Sequence, residues 1–205
     1  MKGIVALCLV ALLAGCSAKQ VRPEVSSSTL YRTPIEGATA QLVLPQDFQR
    51  KVITQKPSFG KAWSIFDFEV HVGEPLSKAI VSDIRSRVPA ARIGDAPDGK
   101  PASIRISTTS VALEFGVDDE KATGFWRTGI VGLATDVIPA AKVTVRASIS
   151  IDGGPERQVD VVGAGAIPMA YARLEQSDIT KVIGLAVDDA ASKLGALAEA
   201  DYRNK

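Results

Sequence analysis

Alternation of apolar and polar residues along the chain predicts several β-strands. In Lys142–Ile151, apolar residues at every second position alternate with Thr, Arg and Ser, which is the period of a strand with one buried face. In Ala102–Phe115 the apolar positions shift by one residue partway along, and such a shift predicts a β-bulge. Three further strands are predicted at Ala38–Leu44, Trp63–Val72 and Arg157–Ile167.

Turn and helix signals lie between these strands. The run Asp152-Gly153-Gly154-Pro155 predicts a hairpin turn that joins the last two strands. Pro75 suits the first turn of a helix, and apolar residues at helical spacing follow it as far as Val88. A final helix of about twenty residues is predicted to start near Ser177, which is a favoured N-cap residue. Its apolar face comprises Ile179, Val182, Ile183, Ala186, Ala190, Leu194 and Leu197.

The predicted order is β-β-α-β-β-β-α, with a hairpin in the second half. An order of this kind favours an α+β fold, in which helices pack on one face of a mostly antiparallel sheet in two layers. We find no internal repeat, and residues 35–205 are predicted to form one such domain.

The first fifteen residues have the pattern of a secretory signal peptide. Lys2 precedes an apolar run of about ten residues, from Ile4 to Leu13. This run is too short for a transmembrane helix, since a bilayer core about 30 Å thick needs roughly twenty apolar residues.

The end of this leader resembles the lipobox of bacterial lipoproteins. The motif is Leu13-Ala14-Gly15-Cys16. The resemblance implies cleavage before Cys16, acyl chains such as palmitate on its thiol, and acylation of the new N-terminus. Ser17, which is not an aspartate, is associated in that family with transfer to the outer membrane, so we expect a lipid-anchored protein that faces the periplasm.

Residues 16–34 are predicted to form the lipidated cysteine and a polar tether. The segment is rich in Ser and Pro and has no hydrophobic period. Fully extended, a tether of eighteen residues would reach about 60 Å.

Charge and cysteine content then narrow the classes of function. The chain has 24 basic and 23 acidic residues, and removal of Lys2 with the leader balances the two. A neutral domain lacks the basic excess that is typical of nucleic-acid binders, so we expect no nucleic-acid partner. With Cys8 removed and Cys16 acylated, no thiol is left for catalysis or for a disulfide.

Candidate catalytic and metal-binding groups are sparse. The only histidine, His71, alternates with Asp67 and Glu69 on the polar face of a predicted strand, which is typical of a solvated face. The acidic runs Asp118-Asp119-Glu120 and Asp188-Asp189 lack the spacing of a calcium loop or a shared ligand set, and we interpret them as solvated too. We therefore expect no enzyme activity, metal or cofactor.

Residues 124–141 form a candidate interaction loop between two predicted strands. This segment is too long for a hairpin turn and too apolar for a solvated loop. It either folds back as a short helix that caps the sheet, or projects to contact a partner protein or a membrane interface. The candidate contact residues are Phe125, Trp126, Arg127, Ile130, Val131, Leu133, Val137 and Ile138.

A chain with a lipobox leader, a polar tether and one compact domain is similar in architecture to small accessory lipoproteins of Gram-negative envelope assembly and export machines. The resemblance implies a structural or assembly component of an envelope complex, held in the inner leaflet of the outer membrane and acting through a protein partner or copies of itself. The alternative is a carrier that binds a lipid or glycan in a pocket under the 124–141 loop.

Overall fold

The computed structural model describes residues 18–26, 33–120 and 135–205. The strands are β1 (Lys19–Val21), β2 (Ala40–Val43), β3 (Val52–Gln55), β4 (Phe68–His71), β5 (Arg92–Gly94), β6 (Ile104–Asp118), β7 (Asp136–Ile151), β8 (Arg157–Ala166) and β9 (Met169–Ala170). The helices are α1 (Gln46–Gln49), α2 (Gly73–Arg87) and α3 (Gln176–Arg203), with a 3₁₀ turn at Tyr171–Arg173.

These elements form an α+β domain, as the sequence predicts. The larger sheet has the strand order β5-β2-β6-β7-β8, and β9 pairs with the start of β7. The long β6-β7-β8 part is antiparallel, whereas β2 runs parallel to both β5 and β6. A smaller sheet has the order β1-β4-β3, and the buried rings of Phe68 and Phe115, 5.3 Å apart, connect it to the larger one.

The bulge predicted in Ala102–Phe115 is present. The register between β6 and β7 shifts between Thr108 and Ser110, so Thr109 is the additional residue. On either side of it, alternate side chains point into the core, which explains the change of apolar phase in the sequence.

Two predicted elements have different boundaries. Only Phe68–His71 of the predicted strand Trp63–Val72 is a strand, because Trp63 has a φ of 56° and the chain turns between residues 63 and 66. Strand β7 begins at Asp136, six residues before Lys142, and so includes residues 136–141 of the predicted loop.

The N-terminal segment is part of the fold. Strand β1 runs parallel to β4, and Val21 is buried against the core. Residues 22–26 then cross α3, where the backbone N–H of Ser26 donates a hydrogen bond to Asp188 at 2.9 Å. These residues belong to the domain and not to the polar tether that the sequence predicts over 16–34.

Helix α3 lies directly on strand β8 because that strand has two glycines on its buried face. A Cβ atom on Gly163 would lie 2.1 Å from the carbonyl oxygen of Ala186, and one on Gly165 would lie 2.1 Å from that of Val182. The N-cap of the helix is Glu175, which forms a capping box with Asp178, and not Ser177 as predicted. The helix begins at Gln176 and has 28 residues, where about twenty were predicted.

A buried ion network holds α2 against α3. The Arg87 side chain, only 4% exposed, donates to Asp83 at 2.7 Å and to Glu199 at 2.5 Å, and also to the carbonyl oxygen of Ser192 at 3.1 Å. Gly195 leaves the space for the Arg87 side chain, since a Cβ there would lie 2.6 Å from the Arg87 Nε atom.

Among the described residues, no helix has the length and hydrophobicity needed to cross a membrane.

We predict that Gly163→Ala destabilises the domain by about 1–3 kcal/mol, which is the usual cost of overpacking. In an open strand the same change would be stabilising, because it reduces the conformational entropy of the unfolded chain. Here the added methyl group meets helix backbone, so α3 must move. Urea unfolding measures the change, and Ala164→Val is the control, since Ala164 is the exposed neighbour on β8 and should change stability by less than about 0.5 kcal/mol. Equal midpoints for Gly163→Ala and the unmodified protein would contradict the prediction.

Candidate functional site: the anchor end

The topology brings five strand ends to one end of the domain. Strands β1 and β4 are parallel and start there, and β3 ends there, with Gln55 opposite Phe68. Strand β6 ends and β7 begins at the same place, because Phe59 in the connection after β3 forms a bridge with Gly116 near the end of β6. We call this the anchor end, because β1 begins there, three residues after the cysteine at which the sequence predicts a lipid anchor.

The connection at residues 56–67 is fastened to the end of β6 by its backbone. The N–H of Ser58 donates to the carbonyl oxygen of Phe115 at 2.7 Å. Gly60 has a φ of 77°, and a Cβ there would lie 1.8 Å from the carbonyl oxygen of Val117, so only glycine allows this close approach.

Asp119 completes the attachment. Its carboxylate, 2% exposed, accepts hydrogen bonds from the backbone N–H of Lys61 at 3.1 Å and of Ala62 at 2.7 Å. The interpretation of Asp118-Asp119-Glu120 as a solvated face is therefore wrong for Asp119, whereas Asp118 and Glu120 are exposed. An acidic residue directly after a long strand was the sequence signal for this role.

Large apolar side chains are exposed at the anchor end. Ile65 is 77% exposed, and Phe66, Phe59 and Ile138 are each about 40% exposed. They are four of the eight large apolar side chains that are exposed in the described ranges 18–26, 33–120 and 135–205. The ammonium group of Lys19 lies 4.2 Å above the ring of Phe66. This is a cation–π contact, and it places the start of β1 beside the apolar side chains.

Six of the eight predicted interaction residues lie outside the described residues, namely Phe125, Trp126, Arg127, Ile130, Val131 and Leu133. The predicted lipidation site, Cys16, also lies outside them. Of the remaining two, Val137 is fully buried as part of β7, and Ile138 is exposed at the anchor end. The neighbouring described residues, Glu120 and Thr135, are also at this end.

The row of Asp67, Glu69 and His71 has the geometry of a half-exposed strand face. The Nε2 atom of His71 lies 2.8 Å from the amide oxygen of Gln20 on β1 and 3.4 Å from Glu69. Within the described part of the chain, no group of three His, Cys, Asp or Glu side chains is placed to hold a metal ion.

A concave surface lies between α2 and α3. This cleft has a volume of about 820 Å³, and the segment 22–26 forms one of its walls. Burial raises the pKa of Asp188 in the cleft, and the hydrogen bond from Ser26 opposes that shift. The other polar lining residues are Arg22, Glu24, Ser26, His71, Glu74, Lys78, Ser82, Asp83, Ser86 and Ser192. None of residues 135–141, the described part of the predicted interaction loop, lines it.

Comparison with known proteins gives structural likeness only. No protein-family model and no curated protein matches the sequence. A Xanthomonas campestris protein of the DUF330 family has a TM-score of 0.48 at 11% identity, with 91% of this chain and 98% of that chain covered. A minor lipoprotein from Acinetobacter baumannii has a TM-score of 0.43 at 10% identity, with 82% and 96% covered. Rare lipoprotein B from Shewanella oneidensis has a TM-score of 0.41 at 8% identity, with 81% and 94% covered. The similar structures thus include two named lipoproteins, but likeness at this level carries no conclusion about the activity of this chain.

We predict that Asp119→Ala loosens the 56–67 connection. The change leaves two backbone N–H groups without their acceptor, at a cost of about 2–3 kcal/mol for hydrogen bonds to a charged group. Hydrogen exchange at the amides of Lys61 and Ala62 should become faster. Asp118→Ala is the matched control, because Asp118 is the exposed neighbour, and exchange at those two amides should stay unchanged. Equal acceleration in both variants would show that Asp119 does not hold the connection.

Proposed function

We propose that this protein is a lipid-anchored periplasmic lipoprotein of the outer membrane and that it acts as a structural or assembly component of an envelope complex. The observation that carries the proposal is the position of β1. This strand begins at Lys19, three residues after the lipobox cysteine, and it is paired with β4 from its first residue. Three residues span at most about 11 Å, so acyl chains on Cys16 would keep the domain at the membrane surface.

Such an anchor favours assembly through weak contacts. A protein confined to a membrane surface meets its partners at a raised effective concentration, so modest contact surfaces are sufficient. More than one acyl chain on Cys16 would also make the attachment stable without a basic patch, which agrees with the nearly balanced charge of the chain. In this proposal the protein has no catalytic activity of its own.

The proposed contact residues include Phe125 and Trp126, which follow β6 in the sequence. Tryptophan and phenylalanine supply large apolar contact areas and are enriched at protein interfaces. The partner is either another envelope protein or a second copy of this chain.

Ligand carriage is the second candidate function, and the cleft between α2 and α3 is the observation that favours it. Its volume falls within the range of small-molecule sites. Charged residues such as Glu74 and Lys78, together with serines, line it, and this lining suits a polar ligand such as a glycan better than an acyl chain.

We predict that Cys16→Ser removes the protein from the outer-membrane fraction. The variant should be recovered either as soluble periplasmic protein or as precursor that keeps its leader. The reason is that the acylated thiol is lost while the rest of the domain is unchanged. Fractionation with mass analysis of the mature N-terminus measures this result. Cys8→Ser is the control, because Cys8 lies in the leader and its loss should leave an acylated, membrane-bound product. Recovery of Cys16→Ser in the same membrane fraction as the unmodified protein would contradict the anchor.

We also predict that cross-linking in intact cells captures a protein partner or an oligomer, and that Trp126→Ala reduces the yield at least about tenfold. Loss of a central aromatic contact often costs 2 kcal/mol or more, which supports this magnitude. Val162→Ala is the control, since it removes an exposed apolar side chain from β8 and should leave the yield unchanged.

Two outcomes of these measurements count against assembly. One is the recovery of neither a partner nor an oligomer. The other is a single chain that retains a small ligand in native mass spectrometry, which would favour carriage.

A further inference from the structure

We propose that the anchor end inserts the side chains of Ile65 and Phe66 into the interface of the bilayer that holds the lipid anchor. The inference rests on the proposed acylation of Cys16 and adds the orientation of the domain and its contact with lipid. The occupant of this apolar surface is thus the membrane itself.

The first argument is the length of chain between the anchor and the fold. Lys19 opens β1, and its backbone N–H donates to the carbonyl oxygen of Asp67 at 2.8 Å, so the chain is fixed next to Phe66. Since Cys16 is at most about 11 Å from Lys19, the acylated residue and the apolar side chains are held at the same end. A longer free tether would have allowed any face of the domain to meet the membrane.

The second argument is the exposure of these side chains on a rigid support. Ile65 is 77% exposed although the rest of its connection is bound to β6 and Asp119. Trp63, two residues earlier, packs partly against the core in a left-handed conformation, at a φ of 56°. Non-glycine residues adopt that conformation at a cost, so the turn that presents Ile65 is imposed by the surrounding structure.

The third argument is the chemistry at the rim of this surface. Aromatic and aliphatic side chains with a lysine beside them are typical of interfacial segments, in which the ammonium group stays at the headgroup level. Lys19, 4.2 Å above the Phe66 ring, has this arrangement.

Among the described residues at this end, net charge does not supply the attraction. The exposed acidic residues Asp67, Asp118, Glu120 and Asp136 offset the basic Lys19, Lys56 and Lys61 there. Insertion is therefore apolar, and added salt should leave it unchanged, because salt screens only charge interactions.

The test places a fluorescent probe at Ile65 in the full, acylated protein. The mature chain has no free thiol, so Ile65→Cys introduces a unique site for an environment-sensitive label. Ile93→Cys is the matched control. Ile93 is 38% exposed on β5 and pairs with Leu42 of β2, which pairs in turn with Ile106, roughly 40 Å along β6 from Asp118. Both labelled proteins are reconstituted into vesicles of phosphatidylethanolamine and phosphatidylglycerol, with and without a lipid that carries a shallow nitroxide.

The expected result is that the emission of the label at position 65 shifts to the blue on membrane binding. The nitroxide lipid should quench this emission by more than about half, because interfacial side chains lie 5–10 Å into the headgroup boundary. The label at position 93 should show neither effect, and high salt should change nothing at position 65. Circular dichroism of both variants checks that the fold is retained.

Other outcomes overturn the inference in distinguishable ways. Protein that floats with the vesicles but has a water-exposed label at position 65 is anchored without insertion, so only this inference fails. A blue shift without nitroxide quenching means that protein covers Ile65, which also overturns it. Protein that is not acylated and does not float overturns the proposed function as well.

Discussion

Helix α3 can lie on strand β8 only because Gly163 and Gly165 have no side chains at the two points of contact. Carbonyl oxygens of the helix occupy the space that Cβ atoms would need. This close approach buries one face of α3 along β7 and β8 and also sets the position of its other faces. One of them receives the backbone of Glu24 at Gly184, and another receives Arg87 at Gly195. The N-terminal segment and α2 therefore both depend on the distance between one helix and one strand.

The anchor end depends on a different kind of constraint. There the core ends, and hydrogen bonds hold the 56–67 connection to β6 in addition to the apolar packing of Ala62 and Trp63. A buried carboxylate that accepts backbone N–H groups is costly to desolvate, but each such bond is stronger than one between neutral groups. Asp119 can thus fix a connection whose apolar side chains Ile65 and Phe66 point away from the core and contribute little to its stability.

Regular periodicity made strands β2, β6, β7 and β8 of the large sheet and both long helices predictable. The bulge near Thr109 and the hairpin after Ile151 each left a clear signal in the sequence. Strand β1 left no such signal, because a three-residue strand with one buried apolar side chain, Val21, has no measurable period. The turn at Trp63 was also missed, since the alternation of Phe66 and Phe68 continues through it while the backbone does not. In both cases a partner distant in the sequence determines the local structure.

The parallel pairing of β1 with β4 also determines how the domain carries a mechanical load. Tension applied at the N-terminus acts along β1, and hydrogen bonds between paired strands lie across that direction. The bonds of Lys19, Gln20 and Val21 are therefore sheared together and not opened one after another. Beyond them, the contacts of residues 24–26 with α3 would receive the remaining force. A protein pulled at its N-terminus while bound elsewhere would thus lose the pairing of β1 with β4 first, and its longest helix would take the load before the larger sheet separates.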